Sequence, residues 1–192
     1  MKKWFTLVLT LAAAAIGPLT LTAPLAQSQD SSFPRGKVAL QVADTGTFMA
    51  RCRGCQETLG STPIPDTVTL RDGYNVGHAQ FIVVPVSGGK IALKSDIGKY
   101  VARCNGCIVD GAVPDFLVIF HDNPNNPNVQ FTPELLPSGN YALKSNSGQY
   151  VARCNGCSPT ALERGVTQDT VTVHGGNPAG RANAQWKVIP IR

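Results

Sequence analysis

The chain has 192 residues, of which 43% are apolar and 15% are charged, a balance that supports a packed core and argues against disorder along the whole chain. Its formal charge is +5, and +3 once Lys2 and Lys3 are removed, because 15 basic residues then stand against 12 acidic ones; this is too small for a nucleic-acid-binding surface. Beyond Pro34, the longest stretch free of both Gly and Pro has nine residues. Since helices average about 11–12 residues, an α-rich or doubly wound α/β fold is largely excluded.

The first residues have the features of a secretory signal. Two lysines precede an uncharged apolar run, Trp4 to Ile16, which is shorter than the about 20 residues of a membrane-spanning helix. Small side chains suit cleavage after Ser28. We therefore expect residues 1–28 to be a signal peptide and residues 29–35 a linker, with a secreted or periplasmic product that has no membrane span after cleavage. An uncleaved N-terminal anchor is the alternative.

Three copies of one unit follow. Residues 36–55 are GKVALQVADTGTFMARCRGC, residues 89–107 are GKIALKSDIGKYVARCNGC, and residues 139–157 are GNYALKSNSGQYVARCNGC. The first cysteines of successive units are 52 and 50 residues apart, so the period is about fifty residues. Weaker similarity continues to the end of each unit, where a glutamine is followed directly by an aromatic residue: Gln80-Phe81, Gln130-Phe131 and Gln185-Trp186.

Each unit contains four short strand signals separated by Gly, Pro, Asn or Asp, the residues that mark hairpin turns. In the second unit these strands are Lys90–Lys94, Lys99–Cys104, Phe116–His121 and Val129–Leu135. Twelve strands predict an all-β fold, a β-trefoil with pseudo-threefold symmetry, in which a closed barrel is capped by hairpins. The prediction is one monomeric domain over residues 36–192, with repeats 36–88, 89–138 and 139–192. A three-bladed propeller is the competing fold, but propellers typically have about four to eight blades.

The stretch from Gly-x-(Val/Ile/Tyr)-Ala-Leu to Gly-x-(Tyr/Phe)-(Val/Met)-Ala resembles the fascin-like, actin-crosslinking branch of the β-trefoil proteins. The resemblance covers about twenty residues in each of the three units. It implies the trefoil fold, whereas the actin bundling of that family is an intracellular activity of proteins with several trefoils and is not expected here. Ricin-type lectins carry Gln-x-Trp in their units, but here the aromatic residue follows Gln directly, so their sugar-binding residues cannot be mapped.

All six cysteines occur in Cys-x-x-Cys pairs, one at the same place in each unit: Cys52/Cys55, Cys104/Cys107 and Cys154/Cys157. In an exported protein the first interpretation is three local disulfides that close the turn after the second strand, although six cysteines allow fifteen pairings. Asn105-Gly106 and Asn155-Gly156 are hairpin-turn signals at these turns. The alternative function is a thiol-disulfide redox protein, but no helix pattern follows the pairs to lower a thiol pKa. A zinc site is disfavoured because three symmetric pairs do not divide into four-ligand sites.

The sequence contains no common catalytic signature. Gly-x-x-x-x-Gly-Lys-(Ser/Thr), His-Glu-x-x-His and Gly-x-Ser-x-Gly are all absent. Two of the three histidines, His121 and His174, occupy equivalent places in their units, where the first unit has Arg71. A residue repeated by symmetry suits a binding surface or a scaffold better than a single catalytic centre. We therefore expect no enzymatic activity, no cofactor and no metal.

Basic and amide side chains recur on the predicted surface, with aromatic residues Phe48, Tyr100 and Tyr150 in step. The candidate ligand-binding residues are Arg51, Arg103, Arg153, Arg71, His121, His174, Asn105 and Asn155. In one interpretation the aromatic residues are core and the arginines are solvated strand charges. In the other, up to three equivalent sites bind a glycan or an anionic polymer, with arginine as a bidentate donor.

The loops His121–Asn128 and His174–Asn183 are where specificity could vary, because loops on a rigid scaffold often carry function. The predicted function is an exported, disulfide-stabilised binding module for a carbohydrate or an anionic glycan, without a nucleic-acid partner. A protease inhibitor is a third hypothesis, since some trefoils present an inhibitory loop, but no reactive bond is marked in this sequence.

Overall fold

The computed structural model describes residues 32–53, 57–59, 62–64, 66–104, 115–155, 157 and 169–192. The predicted signal peptide lies outside them, as do Asn105, Cys55 and Cys107. No described helix is long and apolar enough to cross a membrane.

The described residues form fourteen β-strands and five single-turn 3₁₀ helices, without an α-helix. In the first unit the strands are β1 (Gly36–Val42), β2 (Phe48–Arg51), β3 (Glu57–Leu59), β4 (Thr62–Ile64), β5 (Val68–Arg71) and β6 (Phe81–Pro85). In the second they are β7 (Ile91–Lys94), β8 (Tyr100–Arg103), β9 (Leu117–His121) and β10 (Thr132–Leu135). In the third they are β11 (Tyr141–Lys144), β12 (Tyr150–Cys154), β13 (Thr170–His174) and β14 (Trp186–Pro190). The 3₁₀ helices are Gly77–Ala79, Ser87–Gly89, Pro127–Val129, Pro178–Gly180 and Ala182–Ala184.

The four strands predicted for the second unit are all present, each one to three residues shorter than predicted. The first unit also contains a short antiparallel hairpin, β3 with β4, between β2 and β5. This hairpin was not predicted from the sequence.

The first and last strands of the units form a closed antiparallel barrel. Around the ring, β1 pairs with β6, β6 with β7, β10 with β11, β11 with β14, and β14 with β1. The remaining gap between β7 and β10 is closed by a bridge between Ile91 and Phe131. Closure leaves this sheet without the free edges that promote aggregation.

The two middle strands of each unit form a hairpin, and the three hairpins form the cap of the barrel: β2 with β5, β8 with β9, and β12 with β13. Each hairpin is joined to the next by one residue pair, Thr67 with Val118, Phe116 with Thr172, and Thr170 with Thr69. The cap therefore closes on itself with the same threefold order as the barrel. The fold is all-β and a β-trefoil, as the repeats predict.

The aromatic residue that follows glutamine in each unit fills the barrel. Phe81, Phe131 and Trp186 are fully buried, and each belongs to or flanks the last strand of its unit. The Trp186 indole N–H donates a hydrogen bond to the Val151 carbonyl at 2.9 Å.

The glutamines hold the loops that lead into these strands. The side-chain amide of each donates to a carbonyl of the preceding loop: Gln80 to Tyr74 at 2.9 Å, Gln130 to Pro124 at 3.2 Å and Gln185 to Pro178 at 2.9 Å. The Gln-aromatic pair thus fixes both the core and the shape of the loop that follows the third strand.

Part of the predicted linker belongs to the fold. Phe33 is buried, its ring lies 4.9 Å from that of Tyr141 in an edge-on contact, and the Tyr141 hydroxyl donates to the Ser32 carbonyl at 3.1 Å. The packed domain therefore begins before Gly36.

Candidate functional site

The arginine at the end of each second strand is bonded inside the protein. Arg51 donates from Nη1 to the Asp66 carboxylate at 3.0 Å, and from Nε and Nη2 to both oxygens of Asp96 at 2.8 and 2.9 Å. Asp66 lies two residues before β5 of the same unit, whereas Asp96 lies in the first turn of the second unit. The hydrogen bond from Arg51 holds the pKa of Asp96 below its ordinary value.

The same arrangement repeats in the other units, so that the three arginines form a ring. Arg103 donates to Asp115 at 3.0 Å and to Asn146 of the third unit at 2.8 Å. Arg153 donates to Asp169 at 3.0 Å and to Asp44 of the first unit at 2.8 Å.

We call Arg51, Arg103 and Arg153 the arginine ring, because each joins its own unit to the next. Their side chains are 11%, 11% and 18% exposed, so they are not the solvated charges of one sequence-based interpretation. Their use as ligand contacts stays a prediction, and these internal bonds do not favour it.

The first cysteine of each pair lies at the same end of its hairpin, directly after the ring arginine. Cys154 and Cys157 form a disulfide with a Cα–Cα distance of 5.6 Å, which confirms a local bridge in the third unit. Cys52 and Cys104 are also disulfide-bonded, and no described cysteine is free. Among the described residues, no group of three or more His, Cys, Asp or Glu side chains could hold a metal ion.

A second repeated set lies where the third strands end. Across the cap hairpins, Arg71 pairs with Phe48, His121 with Tyr100 and His174 with Tyr150. Phe48 and Tyr100 are buried, whereas Arg71 is exposed and His121 is partly buried; in the third pair both Tyr150 and His174 are partly buried. The structure thus places the three candidates at equivalent positions, one on each hairpin.

Each of these side chains contacts the loop that its glutamine holds. The Arg71 guanidinium donates to Nε2 of His78. Nδ1 of His121 lies 3.4 Å from the Asn126 amide nitrogen, and Nε2 of His174 lies 3.5 Å from that of Asn183.

The contacts of Arg71 and His174 add two loop residues that the sequence reasoning missed. His78 and Asn183 both stand two residues before the glutamine of their unit. That spacing is a repeat signal that could have identified them.

Burial and nearby positive charge disfavour protonation of two of these histidines. Desolvation by burial, followed by the charge of Arg71, lowers the pKa of His78. Desolvation followed by the charge of Arg181 lowers that of His174. Both imidazoles are therefore neutral near pH 7 and can each accept one hydrogen bond.

A surface cleft of about 350 Å³ opens beside Arg71. Its polar lining residues are Arg71, the acidic Asp72 and Asp169, Asn75 and Thr47. Leu70 and Val76 contribute apolar surface to the same cleft. The cleft therefore combines hydrogen-bond donors, acceptors and an apolar wall.

Comparison with solved structures finds the same architecture. The chain is similar to a designed threefold-symmetric protein, ThreeFoil, with a TM-score of 0.61 at 18% identity over 81% of this chain and 99% of that one. It is also similar to a Caenorhabditis elegans protein of unknown function, with a TM-score of 0.63 at 14% identity over 84% of this chain and 97% of that one.

A third similar structure is an endo-β-galactosidase from Clostridium perfringens that releases GlcNAcα1-4Gal, with a TM-score of 0.56 at 13% identity over 82% of this chain. The chain spans 33% of that enzyme's length. No protein-family model and no curated protein matches the sequence. At these identities the comparisons show the β-trefoil fold and nothing finer.

Proposed function

We propose that this protein is an exported carbohydrate-binding module that holds a glycan on its cap, with the cleft beside Arg71 as its main subsite. The observation that carries the proposal is the lining of that cleft, in which basic, acidic, amide and hydroxyl residues surround apolar surface. The proposal contains no catalytic step.

The lining suits the chemistry of a sugar ring. Sugar hydroxyls both donate and accept hydrogen bonds, and the cleft offers donors from Arg71, acceptors from Asp72, and both kinds from Asn75 and Thr47. The C–H face of a sugar is apolar and can pack against Val76. A cleft of about 350 Å³ falls at the lower end of the usual size of small-molecule sites, about 300–1,000 Å³, as expected for one sugar residue.

The repeats extend the surface. His121 with Asn126, and His174 with Asn183, present a ring nitrogen beside an amide at the equivalent places of the other units. Three weak sites on one rigid cap would raise the affinity for a polymeric glycan without a deep pocket. The galactosidase that contains a similar fold adds a carbohydrate context by analogy.

Export fits the observed cysteine chemistry. Disulfides persist in oxidising compartments, and Cys154 is bonded to Cys157. The secreted or periplasmic location and the fascin-like resemblance stay predictions.

A glycan array followed by isothermal titration calorimetry tests the proposal. We expect millimolar or tighter binding of at least one neutral or sulfated glycan, weakened up to about tenfold by each of Asp72→Ala and Asn75→Ala, since a lost hydrogen bond is worth about 1 kcal/mol. Lys187→Ala is the control, because this exposed side chain on β14 does not line the cleft. Absence of binding on the array, or equal affinity in all three variants, would contradict the proposal.

A further inference from the structure

We propose that the first unit binds an anionic substituent of the glycan, a sulfate ester or a carboxylate, at Arg71 and His78, with the exposed Arg53 adding positive charge from the other end of the β2–β5 hairpin. We call these three residues the basic cluster. This inference rests on the proposed function, because Arg71 also lines the glycan cleft. The anionic ligand is expected at the first unit and not at the other two.

The units differ in charge at three equivalent positions. The residue after the first cysteine, the residue that ends the third strand, and the residue two places before glutamine are Arg53, Arg71 and His78 in the first unit. In the second unit they are Asn105, His121 and Asn128, and in the third Asn155, His174 and Asn183. Two units thus share the set Asn, His, Asn, and the first replaces it with Arg, Arg, His.

The two arginines of the cluster lack the countercharges that other arginines of the cap have. Arg53 and Arg71 are exposed, and neither has a carboxylate within ion-pair distance among the described residues. Arg51, by contrast, is paired with two aspartates. An anionic ligand would supply the missing countercharge, and arginine binds sulfate, phosphate and carboxylate oxygens with parallel N–H groups.

The contact between Arg71 and His78 shows how the cluster can respond to an anion. The Arg71 guanidinium can only donate, so Nε2 of His78 accepts and the ring is neutral with its proton on Nδ1. Besides desolvation, Arg71, Arg53 and Arg51 lower the pKa of His78, whereas Asp96 raises it. A bound anion would oppose the three arginines and raise that pKa, so binding is coupled to proton uptake by His78.

The test compares galactose, galactose 6-sulfate and inorganic sulfate by calorimetry at pH 6 and low salt. The variant is Arg53→Asn/Arg71→His/His78→Asn, which gives the first unit the residues of the other two. Asn is suited to position 53, where φ is +59°, because it adopts positive φ more readily than most residues. The control, Lys37→Asn/Lys187→Asn, removes two exposed charges from the barrel strands β1 and β14.

We expect the unaltered protein and the control to bind galactose 6-sulfate about tenfold more tightly than galactose, as expected for one added charge-assisted contact. The triple variant should lose this preference. In an NMR titration of the histidine ring protons, galactose 6-sulfate should raise the pKa of His78 and leave that of His121 unchanged.

The outcomes separate this inference from the proposed function. If both sugars bind with equal affinity, and the triple variant does not alter the ratio of the two affinities, the anion site is refuted while the glycan site stands. If inorganic sulfate binds as tightly as galactose 6-sulfate, the glycan is not the source of the anion and the inference is overturned. If neither sugar binds, the proposed function fails and this inference fails with it, whether or not inorganic sulfate binds.

Discussion

Replacing Arg51 by methionine tests whether the arginine ring holds the units together. Methionine keeps an apolar stem but removes the three hydrogen bonds to Asp66 and Asp96. It removes the arginine partner of two carboxylates, whose side chains are 14% and 28% exposed. The ring arginines should therefore be more important for folding than for ligand binding.

The magnitude follows from the burial of the pair. Removing one partner costs about 3–5 kcal/mol for a fully buried pair and about 0–1 kcal/mol for a surface pair. Arg51 lies between these limits, and we expect the free energy of unfolding to fall by about 2–3 kcal/mol, which corresponds to roughly 5–10 °C in Tm for a domain of this size. Asp96→Asn should cost only about 0.5–1 kcal/mol, because Asn146 already fills the equivalent place beside Arg103.

Urea unfolding followed by tryptophan fluorescence and circular dichroism measures these differences. Lys187→Met is the control and should stay within about 0.5 kcal/mol of the unaltered protein. Because the pKa of Asp96 is lowered, its contribution is complete above the unfolded-state pKa, near 3.8, and is lost as the pH falls through the lower folded value. A loss in Arg51→Met no larger than in Lys187→Met, with unchanged acid sensitivity, would refute the structural role of the ring.

Three further outcomes follow from the core, the disulfide and a histidine. Trp186→Phe should cost about 1–3 kcal/mol in urea unfolding, because phenylalanine fits the equivalent places of the other units but leaves the Val151 carbonyl without its donor; an unchanged midpoint would contradict this. Cys154→Ser/Cys157→Ser should lower the free energy of unfolding by about 2 kcal/mol, as expected for a disulfide that closes a short loop. The unaltered protein should reduce insulin no faster than this variant. An insulin-reducing activity that the variant loses would favour the redox alternative. The pKa of His174 is lowered from 6.5, so its stability contribution is complete above that pH and decreases as the pH falls through the lower folded pKa. The unfolding free energy of His174→Asn should lack this decrease below pH 6.5.

The architecture could be predicted because each unit repeats the same local signals. Gly and Pro keep every segment too short for an average helix, and the turn glycines Gly46, Gly98 and Gly148 all have positive φ, near 74–83°. The Gln-aromatic pairs mark the strands that close the barrel. These are local patterns, and three equal units of four strands favour a closed threefold arrangement.

The partners of the ring arginines could not be predicted, although their residues also repeat. The acidic residue before each third strand recurs as Asp66, Asp115 and Asp169. The second partner of each arginine comes from the next unit, and that of Arg153 comes from the first. Such contacts depend on how the units close around the axis, which no sequence spacing specifies.

The candidate site was predicted in part. The equivalence of Arg71, His121 and His174 was visible in the repeats, whereas their loop partners depend on how the glutamines fold each loop back onto the hairpin. Phe33 was assigned to a linker because it precedes the first repeat, yet it packs on Tyr141 of the third unit. Both the loop partners and the packing of Phe33 depend on contacts between distant parts of the chain.

The most direct test of glycan binding on the cap is a ¹H–¹⁵N correlation spectrum recorded while the strongest ligand from the array is added. The account predicts that the largest shifts fall on residues 71–78, with smaller ones in residues 121–128 and 174–183. Shifts confined to the barrel strands, or no shift at millimolar ligand, would contradict it.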